Sequence, residues 1–312
     1  MEQFYNPLFT HVDVFIPKDD NDWHDKRRTG LGASESAVLL GLSSYKTPYQ
    51  LYCLKKGITA ETQSEDERMI LGRNIEEGIL KTYSEIYNHK IRHNKEHMIL
   101  VSKDFPFLMF TPDGMVDDGE PFFVEVKSSV ENSIWRDYQG NIKIPDNIYC
   151  QLQHQMLVSA TTRILLVLEL FHTIHPIWVN RDENLIQDIQ IEADIFEYQL
   201  ANNIQPEVKD GDTAILNRQL SKKNLAEPIK LGSEFEILSR QLQRLNNKLS
   251  KQNKRSKVTT KKRDAIQNRI KKEINGVGVA ELPNGQKFVV TKTGRGGKYQ
   301  KKSYSLRLKS IA

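Results

Sequence analysis

Two short stretches hold residue types suited to phosphodiester chemistry: Thr111-Pro112-Asp113-Gly114 and Val124-Glu125-Val126-Lys127. Asp113 falls where a strand-like run gives way to a Pro and Gly turn. Glu125 and Lys127 stand two apart on the next strand-like run, so alternation puts them on one face. A carboxylate from each strand can share a divalent ion, and an amine beside them can orient, or help deprotonate, an attacking water. Hard oxygen ligands of this kind suit Mg²⁺, which keeps several waters and binds substrate phosphates. Hydrolysis of a phosphodiester needs charge stabilisation at the phosphorane and a hydroxide near neutral pH, and one or two metal ions provide both. If Glu76 reaches in from its helix, it supplies the further ligand that a two-metal arrangement would require. Each stretch alone also fits ordinary structure, the wet face of a half-buried sheet or a tight turn. Against that, Glu125 and Lys127 interrupt the apolar run Phe122-Phe123-Val124, placing charge on a strand built for burial. Asp117, Asp118 and Glu120 between the two stretches read as a solvated turn.

The elements that must position these groups follow from periodicity. Helices are predicted over 34–42, with Ser34 as a cap, and over 48–56, opened by Pro48 and closed by Gly57. A third, over 65–88, carries Glu76 and the apolar series Ile75, Ile79, Tyr83 and Ile86. Short strands are expected over 98–101, 107–110 and 122–126, then a helix over 147–160 and an apolar strand over 163–171. A helix over 184–202 ends this part, and helices on a mixed sheet are the expected architecture. Residues 206–228 read as a linker. Beyond them Leu231, Phe235, Leu238, Leu242, Leu245 and Leu249 form the seam of a helix, with Ile266, Ile270 and Ile274 as its partner across the basic turn Lys254-Arg255-Ser256-Lys257. Pro283-Asn284-Gly285 marks a hairpin between runs 277–282 and 287–292. The expected division is therefore a catalytic domain over 1–205, a linker over 206–228, and a basic helical hairpin with a β-hairpin over 229–312.

The bulk composition is compatible with this plan. The 312 residues are 38% hydrophobic and 27% charged, with a net charge of +5. No apolar run is long enough for a bilayer span, and the first residues lack a secretion-signal layout, so a cytoplasmic location is expected and no membrane partner. Two cysteines, Cys53 and Cys150, are too few for a disulfide framework and are expected as buried thiols. Basic residues dominate the end of the chain, with no acid after Glu281, a field that attracts a polyanion. The histidines His93, His97, His154, His172 and His175 show no ligand-like pairing and are expected in structural or surface roles.

Taken in order, Trp23-His24-Asp25-Lys26-Arg27-Arg28, Gly32-Ala33-Ser34-Glu35, Gly41-Leu42-Ser43-Ser44-Tyr45-Lys46-Thr47-Pro48, Gly72-Arg73-Asn74-Ile75-Glu76, Thr111-Pro112-Asp113-Gly114, Glu125-Val126-Lys127 and Gln151-Leu152-Gln153-His154-Gln155-Met156 resemble the YqaJ-like viral recombinase family, which is related to the lambda-type alkaline exonuclease. The resemblance implies a restriction-endonuclease-like core of α/β (α+β) class, with a central mixed sheet flanked by helices. It implies a Mg²⁺-dependent enzyme, with Mn²⁺ as a substitute, that resects one strand of a linear duplex from 5′ to 3′. Metal ligands carry over to Glu76, Asp113 and Glu125, with Glu77 the adjacent alternative to Glu76, and the catalytic lysine to Lys127. Arg27, or Arg28 in its place, and Ser34 are implied to hold the 5′ phosphate, while Gln151 matches a glutamine behind the active site. Implied partners are double-stranded DNA ends, a single-strand annealing protein and, by analogy with the three-fold ring of the lambda-type enzymes, further copies of the chain. The setting implied is the cytoplasm of a phage-infected or prophage-carrying cell. An endonuclease or junction resolvase on the same core, and a DNA-binding recombination factor with idle carboxylates, fit the same residues.

Overall fold

The apolar runs that begin at Phe122 and Arg163 pair in parallel, which demands a crossover, and the segment Asp146–Ser159 supplies it as a helix. This computed structural model describes residues 7–59, 67–116, 120–220, 228–251, 257–276, 278–293 and 303–309. The chain divides into two compact units, one of Met1–Tyr45 and Leu51–Ile204, the other of Lys46–Gln50 and Gln205–Ala312.

In chain order the first unit contains β1 (Val12–Phe15), α1 (Asp20–Arg28), β2 (Leu31–Gly32), α2 (Ala33–Leu39), most of α3 (Pro48–Lys55), α4 (Glu67–Tyr87), β3 (Ile91–His93), β4 (Ile99–Ser102), β5 (Leu108–Phe110), β6 (Gly114–Val116), β7 (Phe122–Ser129), α5 (Asn132–Trp135), α6 (Asp146–Ser159), β8 (Arg163–Leu170), β9 (Thr173–Asn180) and α7 (Glu183–Ala201). Two sheets result, β3-β6-β7-β8-β9 and β1-β4-β5-β2. In the first, only β7 and β8 run parallel. This is the mixed sheet with flanking helices expected of a restriction-endonuclease-like core. The edge strand β9 contains Pro176, which an edge tolerates because one side of its backbone has no ladder partner.

Alternation along β7 divides its two jobs. Phe122, Val124 and Val126 pack with Ile79, Leu80 and Tyr83 of α4, while Glu125 turns to α6, whose Gln151 and Gln155 donate to it. The predicted apolar series on α4 holds through Tyr83, but Ile86 is 59% exposed. The chain passes from one sheet to the other three times, between β2 and β3, between β3 and β4, and between β5 and β6. Buried Asn94 joins the last two passages. Its Nδ2 donates to Pro112 O (2.9 Å) and Met98 O (3.1 Å), its Oδ1 accepts from Met98 N (2.9 Å), and its backbone N–H donates to Asp113 O (3.1 Å).

Several expectations need correction. The helix predicted from Ser34 starts at Ala33 with Gly32 in the cap position, and the Gly32 N–H is taken by Glu35 Oε2 at 2.7 Å, so Ser34 is an exposed first-turn residue and not the cap. The stretch read as linker folds in part, with a 3-10 turn at Asp210–Asp212 and α8 (Thr213–Leu220), whose Leu216 and Leu220 are buried. The rest of the second unit is β10 (Ile229–Lys230), α9 (Glu234–Lys251), α10 (Lys257–Ile274), β11 (Gly278–Glu281), β12 (Lys287–Thr293) and β13 (Ser303–Lys309). The expected hairpin is thus part of a four-stranded sheet, β10-β11-β12-β13, turning through Gly285 at φ 79°. Leu231 lies before α9 instead of on its seam, while Phe235, Leu238 and Leu242 join Ile270 and Ile274 in the core as expected. Lys254 to Ser256 of the basic turn, with Asp117 and Asp118, lie outside the described residues. Among the described residues no helix is long and apolar enough to cross a membrane.

Both cysteines are buried thiols outside any disulfide, as expected, and burial pushes the Cys150 thiol up to about 12. His154 is wholly buried, with Nδ1 2.6 Å from Ser36 Oγ and Nε2 3.1 Å from Met109 O, which assigns the ring proton to Nε2. Burial moves its pKa from 6.5 down to about 4. A base whose pKa falls on folding lends stability above its unfolded pKa and loses it as pH falls through the folded one. The His154 ring is therefore expected to titrate near pH 4 in the folded protein, with a loss on the order of 3 kcal/mol between the two values. A histidine NMR titration measures this, and a midpoint near 6.5 would refute it.

Candidate active site

Asp113 sits at the corner where the chain leaves β5 for β6. The corner is tight. A Cβ on Gly114 would lie 2.9 Å from Ile91 Cγ2, 3.2 Å from Leu80 Cδ1 and 3.3 Å from Arg92 O, so the residue after Asp113 has to be glycine for β3 and α4 to close over it. Antiparallel pairing of Gly114 with Val124 brings Asp113 alongside Glu125, and Asp113 Oδ2 accepts from Val126 N at 2.7 Å. Its carboxylate is thereby tied to the strand that carries Glu125 and Lys127.

Glu125 is only 2% exposed. Its Oε1 accepts from Lys127 Nζ and from Gln151 Nε2 (2.5 Å), and its Oε2 from Gln155 Nε2 (2.6 Å). Gln151 and Gln155 are four apart on α6, one turn of helix, so both amides reach the same carboxylate. Glu76 of α4 meets His93 at the end of β3, with Oε1 3.1 Å from Nε2.

The electrostatics tie the four predicted groups together. Asp113 is held well above the usual carboxylate range by burial first, then by the negative charges of Glu125 and Glu76. Glu76 is raised by burial, which His93 partly offsets, and Glu125 pushes it further in the same direction. For Lys127, burial works to lower the pKa, yet Glu125, Asp113 and Glu76 outweigh it and keep the ammonium charged. Three carboxylates thus share a site with one lysine and carry more negative charge than it neutralises.

That imbalance bears on whether a metal fits. Hard carboxylate oxygens are the ligands that Mg²⁺ takes, and a divalent cation would relieve the repulsion that raises Asp113 and Glu76. Among the described residues, however, no three acidic, histidine or cysteine side chains stand as a ready-made ligand set. Glu125 is engaged by Lys127 and two glutamines, and Glu76 by His93. The donor set fits the ion, provided these carboxylates exchange protein donors for it.

The remaining predicted residues lie elsewhere. Arg27 stacks over the Trp23 ring at 4.9 Å, and its Nη2 is 3.8 Å from Glu35 Oε1. Gly32 makes room for it, since a Cβ there would lie 2.5 Å from Arg27 Nη2. Lys55 Nζ completes this second cluster, donating to Glu35 Oε2 (2.6 Å) and Arg27 O (2.7 Å). Burial works to raise the Glu35 pKa, but Lys55 and Arg27 bring it below the usual range. Arg28 pairs with Asp25 on the surface of α1, and Ser34 is exposed on α2. Glu77 turns to Lys95 at 2.5 Å, which leaves Glu76 as the member of that pair in the acidic cluster. Glu120 is exposed and pairs with Arg163 at 2.6 Å.

Sequence reasoning missed Gln155, His93, Glu35 and Asn94. Gln155 stands one helical turn beyond Gln151, a spacing that could have disclosed it. The expectation that His93 lacks a pairing is corrected by its contact with Glu76.

Residues 22–162 match the YqaJ-like viral recombinase domain. The match takes in 141 of the 312 residues, less than half of the chain. It includes the acidic cluster, both glutamines and the Arg27–Glu35–Lys55 group. The uncharacterized protein YqaJ of Bacillus subtilis (strain 168) is 28% identical over 138 residues, which are 44% of this chain and 41% of that protein, so the match spans less than half of either. Among solved structures, the alkaline exonuclease LHK-Exo of Laribacter hongkongensis has a TM-score of 0.45 at 19% identity, covering 65% of this chain and 98% of that one. A phage related exonuclease from Haemophilus somnus 129PT has a TM-score of 0.42 at 11% identity, covering 58% and 98%.

The acidic cluster is expected to carry the strain of its carboxylates as a pH-dependent cost. An acid whose pKa rises on folding lends stability at low pH and loses it as pH rises through the folded value. Asp113→Asn keeps an acceptor for Val126 N and removes the charge. In a chelator at pH 8 this variant should melt a few degrees above the unaltered protein, with the gap closing towards pH 5. Scanning calorimetry decides, and a lower melting temperature at pH 8 would show that the Asp113 anion is a stabilising group.

Proposed function

We propose that this chain is a Mg²⁺-dependent nuclease that digests linear double-stranded DNA from its ends, 5′ to 3′, in phage-type recombination alongside a strand-annealing protein. The observation that supports it most is the convergence of Glu76, Asp113, Glu125 and Lys127 on one site within the recombinase domain. Polarity and the annealing partner rest on the family resemblance alone.

Glu76, Asp113 and Glu125 would hold the divalent ion. When bound, such an ion supplies positive charge at the phosphoryl oxygens and lowers the pKa of an attacking water. The protein's own groups do the positioning. Val126 N–H fixes the Asp113 carboxylate, and Gln151 and Gln155 orient that of Glu125. Lys127 presents a charged ammonium beside them, suited to orienting the water and to stabilising negative charge on the phosphorane. With Mg²⁺ present, linear duplex should disappear while covalently closed circular duplex survives. Equal loss of both would instead favour an endonuclease. Glu125→Gln and Lys127→Ala should each lower the rate by about 100-fold or more. Gel assays with end-labelled duplex read both results, and unchanged rates in the two variants would remove the carboxylates and lysine from the chemistry.

A further inference from the structure

The face of α9 that points away from the core has a composition that folding does not explain. This helix buries Phe235, Leu238, Leu242 and Leu249. Arg240, Arg244 and Lys248 recur every fourth residue, two positions on from Leu238 and Leu242. At about 100° per residue, that sets them roughly 200° round the helix from the buried seam. All three are exposed. With a rise of about 6 Å per four residues, they form a row about 12 Å long.

Like charges at i,i+4 destabilise a helix unless acids are interleaved. None are: no acidic residue occurs between Glu236 and Asp264. Among the described residues, none of the three makes an ion pair, and the recorded bond of Arg240 is from Nε to the backbone oxygen of Glu236 at 3.4 Å. Exposed Gln241 and Gln243 lie between the cations and add neutral donors without repelling an anion. An anionic membrane is a poor match, because a helix lying on a bilayer inserts its apolar face, and that of α9 is already buried in its own unit.

We infer that the outward face of α9, centred on Arg240, Arg244 and Lys248, is a binding surface for the phosphate backbone of duplex DNA. Over about 12 Å of helix axis one DNA strand presents three to four phosphates, at roughly 3.4 Å each, which matches a row of three cations. The choice of DNA among polyanions rests on the nuclease reading above. The surface itself is independent of the acidic cluster.

The test uses the full chain in a chelator, so that no hydrolysis enters. Binding of a fluorescent duplex is measured across a series of salt concentrations for the unaltered protein and for a variant combining Arg240→Gln, Arg244→Gln and Lys248→Gln, glutamine being a good helix former. Each lost phosphate contact removes about 0.9 from the slope of log affinity against log salt, so the slope should fall by up to about 2.7. A second variant, Arg240→Lys with Arg244→Lys, keeps the charge and should keep the slope. An unchanged slope in the glutamine variant overturns the inference, as does binding to phosphatidylserine vesicles in preference to duplex. If the unaltered protein fails to hydrolyse DNA with Mg²⁺, the nuclease reading falls and the salt slope still decides the surface.

Discussion

A carboxylate inside a sheet is tolerable only when its charge is met by donors, because desolvating an unpaired anion costs far more than one domain's net stability can absorb. Glu125 meets this condition with Lys127 from its own strand and Gln151 and Gln155 from the crossover helix. Much of the first unit follows. The helix must lie with that face over β7, and the parallel pairing of β7 with β8 is what makes a helical crossover necessary there. Removing either glutamine would leave a buried acceptor underserved, which is why α6 behaves as part of the site and not only as packing.

The second constraint is the corner between the two sheets. Asp113 has to leave β5, clear α4 and lie beside Glu125 within a few residues. Gly114 provides the clearance, and the Asn94 side chain supplies the hydrogen bonds that a change of sheet would otherwise leave unmade. The negative charge gathered there exceeds what Lys127 balances, as the raised Asp113 and Glu76 register. Such an excess is a common signature of a site built to receive a cation, where stability is given up for function. On α9 the excess has the opposite sign, since no acid is interleaved among Arg240, Arg244 and Lys248.

What could be read from the sequence was local. Strand alternation placed Glu125 and Lys127 on one face, helical spacing placed the apolar series of α4, and the Asp113-Gly114 turn marked the corner, whereas Gln151 came only from the family resemblance. Those readings succeeded because the period of burial is a property of each element alone. They failed where burial depended on a neighbour. Ile86 continues the α4 series but is exposed, and Ser34 has the chemistry of a cap that Gly32 and Glu35 perform. The segment with α8 was polar enough to pass for a linker, and β13 was read only as part of the basic end of the chain.

The sequence by itself therefore determined the types of the candidate site groups, their order and the elements that carry them. Only the tertiary structure decided which groups meet: His93 with Glu76, Gln155 with Glu125, Asn94 with the Asp113 corner, and Lys55 with Glu35. The physical reason is that periodicity records which side of an element is turned inward. What stands opposite that side is set by strand register and helix packing between segments far apart in the chain, and a desolvated charge finds its partners only when those have formed.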